Sequence, residues 1–347
     1  MHKRREKKLV SHGKGICSGI CLALMLAGCS ENHHSLPADP PVNIQAQEEN
    51  VETEEMLSEE ILQTQESSAD AGAGQEESME PVIEETDWSD YFGGRNGTAV
   101  IYDPTESRYE ICNQELALTR RSPCSTFKII SSLIALEYGV IEPDDSVRKW
   151  SGETFWMEDW NRDIDFSDAF RASCVWYFRE VTDEIGKERM QEELNRLFYG
   201  NCDISDWSGL LNTNNSNPAL TGFWIESSLL ISPKEQTEVM ERIFGENAVC
   251  SEKTQKELKT VMQVTGEEAL ESRPEISLYG KTGMGKVQGA VVDAWFTGFA
   301  EKKAASGAKN GTETVYFCVH LGRNDGRDVS STLAKKIAIQ IVLEDGF

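Results

Sequence analysis

Ser122-Pro-Cys-Ser-Thr-Phe-Lys128, continuing into Ile129-Ile-Ser-Ser-Leu-Ile-Ala-Leu-Glu137, is the stretch on which the reading of this chain turns. The apolar spacing from Phe127 through Leu136 predicts a buried helix, with Ser125 at its mouth and Lys128 three residues on. Residues three apart share a helix face, so Lys128 can reach the Ser125 hydroxyl. The helix N-terminus adds amide donors and positive potential for a developing oxyanion. A serine hydroxyl near neutral pH needs such an adjacent proton acceptor before it attacks a carbonyl. Ser-x-x-Lys also occurs at Ser11, Ser146 and Ser306, but only the Ser125 copy opens an apolar run. Lys128 is therefore expected inside the protein, where desolvation favours a neutral amine. A neutral amine can act as a base or react with carbon dioxide.

Far downstream, Tyr279-Gly-Lys-Thr-Gly283, then Met284-Gly285 and Ala290 to Phe299, reads as a strand and its hairpin neighbour, with Lys281 on a strand edge. Between the two lie Ser173-Cys-Val175, Tyr199-Gly-Asn201 and Phe223-Trp-Ile-Glu226, with Trp160-Asn-Arg-Asp163 ahead of the first. Ser-x-x-Lys with Lys-Thr-Gly marks the penicillin-recognising serine enzymes. In order and spacing the set Ser125-Thr-Phe-Lys128, Ser173-x-Val175, Tyr199-Gly-Asn201, Phe223-Trp224 and Lys281-Thr-Gly283 resembles the class D, oxacillinase-type serine β-lactamases, over Trp88 to Phe347.

The resemblance implies roles residue by residue. Ser125 is the acylated nucleophile, and Lys128 is carried as an N-carboxylated base that serves both acylation and deacylation. Val175, Phe127 and Trp224 form its apolar surroundings, and the Trp224 indole holds the carboxylate. Ser173 passes a proton to the leaving nitrogen, the amides of Ser125 and Met284 form the oxyanion hole, and Lys281 and Thr282 meet the substrate carboxylate. Gly283 lets the substrate backbone approach. No cofactor is implied beyond carbon dioxide or bicarbonate for Lys128, and the implied ligand is a small β-lactam. The family's arginine on the last helix has no counterpart in Leu333-Ala-Lys-Lys-Ile-Ala338, which offers Lys335 or Lys336. A polar insert, Asp206 to Thr221, reads as a surface loop near the site.

Residues 1–28 carry a basic start and an apolar core from Ile16 to Ala27, too short to span a bilayer comfortably. With Leu26-Ala-Gly-Cys29 they read as a lipoprotein signal that leaves Cys29 as the lipidated first residue, so the expected location is extracytoplasmic and lipid-anchored. Residues 29–87 read as a disordered tether: Glu31 to Asp87 holds 17 acidic residues and no Lys or Arg. Most of the net charge of −25 lies there, and neither segment beyond the leader is basic, which argues against nucleic-acid binding. Past the tether, Cys112, Cys124, Cys174, Cys202, Cys250 and Cys318 are scattered without disulfide or metal spacing. A single histidine, His320, leaves no Ser-His-Asp triad or zinc site to assemble.

Residues 88–347 are expected to form one α+β domain. Thr98 to Tyr102 and Arg108 to Cys112 make a hairpin over an Asp103-Pro104 turn. Ser277 to Lys281, Ala290 to Phe299 and Thr314 to Leu321 supply later strands. Helices begin near Ser125, Ser167, Lys187, Pro233 and Ser251, and a last one runs from Ser330 to Leu343. Strands at both ends and helices between give an antiparallel sheet flanked by helices, an all-helical lobe, and a cleft for the site. Two rivals share these motifs: a β-lactam sensor or transpeptidase that stays acylated, and a non-catalytic wall-binding lipoprotein. The sensor is expected to carry several membrane helices where this chain shows only a leader.

Overall fold

The computed structural model describes residues 80–211, 215–303, 311–323, 327 and 329–347. The leader, the Cys29 site and the tether through residue 79 fall outside them. Six strands form one sheet: β1 Val82–Glu85, β2 Gly97–Asp103, β3 Arg108–Cys112, β4 Ile276–Val287, β5 Ala290–Lys303 and β6 Thr312–Gly322. Their spatial order is β1-β3-β2-β6-β5-β4, with every pair antiparallel except β1 with β3. The expected hairpin of β2 and β3 is present, and the Asp103 carboxylate accepts from Thr105 N at 2.8 Å to close its turn. The late strands run past their apolar stretches because the backbone ladder continues through polar pairs such as Lys303↔Thr312.

The helices are α1 Ser89–Phe92, α2 Gln114–Leu118, α3 Lys128–Glu137, α4 Phe166–Arg171, α5 Val175–Ile185, α6 Lys187–Leu197, α7 Pro233–Phe244, α8 Glu252–Met262, α9 Glu268–Glu271 and α10 Ser331–Asp345. Strand alternation divides the core in two. Ile276, Leu278, Ala294 and Phe296 face α10, meeting Ala334, Ile337, Ala338 and Ile341. Phe299 and Tyr316 face the other way and join the helical core around α3. Every residue of α3 from Lys128 to Ala135 is buried, as a helix enclosed on all sides requires. Burying each of its Ile and Leu side chains contributes about 1.5–3 kcal/mol, so its lysine is fixed within one of the best-anchored elements of the domain.

One boundary needs correction. The tether was expected to run to Asp87, yet Val82–Glu85 pairs in register with Arg108–Ile111, and Val82 N donates to Ser107 O at 2.9 Å. All four side chains of β1 are exposed. Strand pairing uses backbone groups, so an acidic composition with no core-facing residue does not prevent an edge strand.

Candidate active site

Ser125 sits on a 3₁₀ turn, Cys124–Phe127, that leads into α3. Residues i and i+3 eclipse in a 3₁₀ turn, which is how Lys128 Nζ comes to donate to Ser125 Oγ at 3.0 Å. From Ser122 to Ala135 only Ser125 is not fully buried. Cys124, immediately before it, holds φ 50°, a left-handed conformation costly for a side-chain-bearing residue and common where a site over-determines the backbone. Lys128 is 1% exposed, and burial pulls its amine down to about 8. The Phe178 ring of α5 lies 5.4 Å from its Nζ.

Ser173 bridges α4 and α5 with φ 55°, and Cys174 N donates to Ala169 O at 2.8 Å to close the link. Trp160 secures this corner by donating from Nε1 to Ala172 O at 3.0 Å, and Trp176 Nε1 donates in turn to Trp160 O at 3.0 Å. Lys281 projects from β4 and donates to Ser173 Oγ at 2.5 Å and to Thr282 O at 3.0 Å. Burial, with repulsion from Lys128, holds the Lys281 amine well below the usual lysine range. The Phe170 ring lies 5.7 Å away. Two buried lysines thus face two serines, and each loses protons readily because the low-dielectric surroundings disfavour the ammonium form.

β4 ends the sheet, and past the bridge from Gln263 to Tyr279 no named strand among the described residues pairs with the outer side of its backbone. A Cβ on Gly283 would stand 2.9 Å from Pro123 O and 3.0 Å from Thr126 Cγ2. The sequence reading gave this glycine to the approach of a substrate. In the structure a side chain there would also collide with the nucleophile's own turn, so this glycine lets β4 pack against the residues on either side of Ser125.

Trp224 is 1% exposed and stacks on Phe127 with ring centroids 5.7 Å apart, while its carbonyl accepts from Ser122 Oγ at 3.1 Å. Asn201 ties down the segment that follows, accepting from Leu230 N at 2.9 Å and donating to Ser228 O at 2.8 Å. Gly200, with φ +56°, passes so close to Leu230 O that a Cβ would lie 2.0 Å from it. Tyr199-Gly-Asn201 therefore fixes the loop that delivers Trp224. The insert is anchored more firmly than a plain surface loop: Trp207 stacks on Phe223 at 5.1 Å, and the Asp206 carboxylate accepts from Leu210 N at 2.8 Å.

The structure thus gathers Ser125, Lys128, Ser173 and Lys281, with Trp224 packed behind the nucleophile turn and Val175 half-buried as the first residue of α5. It does not bring Lys335 to them. Lys335 pairs with Glu267 at 2.6 Å, and Lys336 is exposed. The helix carrying both packs on the Ile276 and Leu278 face of the sheet, whereas strand alternation points Lys281 to the opposite face. The sequence reading missed Phe178 and Phe170. The i+3 spacing of Phe178 from Val175 on α5 was a usable signal, while nothing local marked Phe170. All six cysteines among the described residues are free thiols, and burial raises that of Cys174 to about 11. Among the described residues no group of three or more His, Cys, Asp or Glu side chains could hold a metal, and no helix is long and apolar enough to cross a membrane.

A model of the penicillin binding protein transpeptidase domain matches residues 97–338. The probable beta-lactamase YbxI of Bacillus subtilis is 30% identical over 257 residues, covering 74% of this chain and 84% of its own. The regulatory protein BlaR1 of Bacillus licheniformis is 29% identical over 266 residues. That match spans 76% of this chain but only 39% of BlaR1. Among solved structures, a class D beta-lactamase from Bacillus subtilis aligns with a TM-score of 0.61 at 30% identity, covering 75% of this chain and 96% of its own.

Proposed function

Since the chain belongs to the penicillin-binding transpeptidase-domain family, and to the class D serine β-lactamases within it, we propose that it hydrolyses β-lactam antibiotics through an acyl-enzyme on Ser125. The observation that carries this reading is the 3.0 Å contact from a fully buried Lys128 to a half-buried Ser125. In acylation Ser125 Oγ bonds to the lactam carbonyl carbon and gives its proton to the Lys128 side chain. The ring C–N bond breaks, and Ser173 delivers a proton to the departing nitrogen, the proton that left Ser125 passing on to restore the Ser173 hydroxyl. The β4 edge holds the substrate beside Ser125, its backbone amides meeting the developing oxyanion and Thr282 with Lys281 meeting the substrate carboxylate.

The surroundings of Lys128 fit an N-carboxylated side chain: the amine is fully buried and pulled down to about 8, the Phe178 ring lies 5.4 Å from it, and Trp224 stacks on the adjoining Phe127. Bound carbon dioxide would supply there a carboxylate able to act as base in both half-reactions. Lys128 sets its place, and Trp224 packs the wall against it.

A second reading is favoured by the similarity to BlaR1: a domain that acylates and stays acylated. A chromogenic cephalosporin separates the two. Steady release of product supports the hydrolase, and a burst of one equivalent followed by silence supports the sensor. Ser125→Ala should take up no penicillin mass; uptake at the original rate would overturn both. We also propose that the domain works outside the cytoplasm, held to the membrane by lipid on Cys29.

A further inference from the structure

The ladder between β4 and β5 slips just beyond the site. Gly285 still faces Asp293, but Lys286 faces Val291. At such a bulge the ladder is locally disrupted before pairing resumes at Lys286↔Val291 and Val287↔Ala290, and this is the end of the strand that packs Gly283 and Gly285 against the turn around Ser125. A second hold on the bulge comes from outside the sheet: the Glu226 carboxylate accepts from Lys286 N at 2.5 Å.

Glu226 is itself built into the nucleophile turn. Its N–H donates to Ser122 Oγ at 2.8 Å, and the same hydroxyl donates to Trp224 O at 3.1 Å. Ser122 O accepts from Trp295 Nε1 of β5 at 3.0 Å. Glu226 keeps φ 48°, a left-handed conformation unusual for a side chain of its size and typical of a backbone held for function. Gly285 leaves the space the carboxylate uses, since a Cβ there would lie 3.1 Å from Glu226 Oε1 and 3.1 Å from Cys124 Sγ. The carboxylate thus stands between the residue preceding the nucleophile and the strand that completes the site.

We infer that Glu226 is a positioning residue for acylation: its carboxylate oxygen fixes the β4 edge at Met284–Lys286 relative to the Ser125 turn and so sets the oxyanion site. This rests on the acyl-enzyme reading above. The acceptor oxygen matters and the charge does not, so Glu226→Gln should retain acylation within about threefold. Glu226→Ala should slow it by about ten- to a hundredfold, below or at the range for losing an oxyanion donor outright. Deacylation passes through a second tetrahedral intermediate at the same oxyanion site and should slow alongside acylation, while its response to bicarbonate should stay unchanged because Lys128 is untouched.

The experiment pairs stopped-flow acylation of the wild type, Glu226→Gln and Glu226→Ala with amide hydrogen exchange across residues 284–287. Faster exchange there in Glu226→Ala, with Glu226→Gln protected and acylating normally, supports the inference. Unchanged exchange in Glu226→Ala, unchanged acylation, or equal loss in both variants overturns it. Wild-type protein that fails to acylate refutes the parent reading instead, while the exchange data still decide whether Glu226 anchors the strand.

Discussion

Replacing Lys128 with methionine should make the protein more stable while abolishing its activity. The lysine is 1% exposed and its amine is pulled from 10.5 to about 8 by burial. That difference corresponds to about 3 kcal/mol at ~1.4 kcal/mol per pH unit. The unfolded chain binds this proton more tightly than the folded one, so wild-type stability rises with pH between about 8 and 10.5 and carries the full penalty below 8. Lys128→Met removes the penalty and forfeits the hydrogen bond to Ser125, worth about 1 kcal/mol. The net expectation below pH 8 is about 2 kcal/mol of added stability, or several degrees in melting temperature for a domain of this size. The gain should shrink steadily as pH approaches 10.5. Thermal melts of both proteins in carbon-dioxide-free buffer from pH 6.5 to 10 measure it. A variant less stable than wild type at pH 7, or a difference that does not change with pH, would refute the account of a lysine strained by desolvation.

Trp224→Ala should weaken retention of a carboxylate on Lys128. Deacylation should then slow by about tenfold or more, in line with ~1–3 kcal/mol for a lost partner of a buried charge; ¹³C NMR with labelled bicarbonate and burst kinetics test this, and unchanged turnover without bicarbonate dependence would remove Trp224 from the mechanism. Gly283→Ala places a methyl group 2.9 Å from Pro123 O, a backbone atom that cannot swing aside, so β4 must shift; acylation should fall at least tenfold with the fold retained by circular dichroism, and a fully active variant would contradict the packing. Cys29→Ser should release the protein from membranes or block its processing; fractionation showing the unmodified chain already soluble and cleaved elsewhere would remove the lipid anchor and leave the enzyme reading intact.

The sequence alone settled whatever depends on short spacing. Ser125 and Lys128 are three residues apart, and any helical turn eclipses or nearly eclipses them, so their contact follows from local geometry before tertiary structure is considered. The β2–β3 hairpin and the apolar runs of α3 and β5 are legible for the same reason: period and turn chemistry are written within a few residues. The partnership of Lys281 with Ser173 crosses 108 positions, and the motifs named the two residues without bringing them together. Only the edge position of β4 and the left-handed corner between α4 and α5 do that. The same distinction explains the errors. Val82–Glu85 looks like tether because its side chains bury nothing, and its pairing lies in backbone groups that every sequence carries. Lys335 looks available because its charge is visible in the sequence, while the face of the sheet that its helix covers is not. Glu226 stood beside a recognised motif with no sign of its role, because the amide it holds belongs to a bulge whose register is set by the whole sheet.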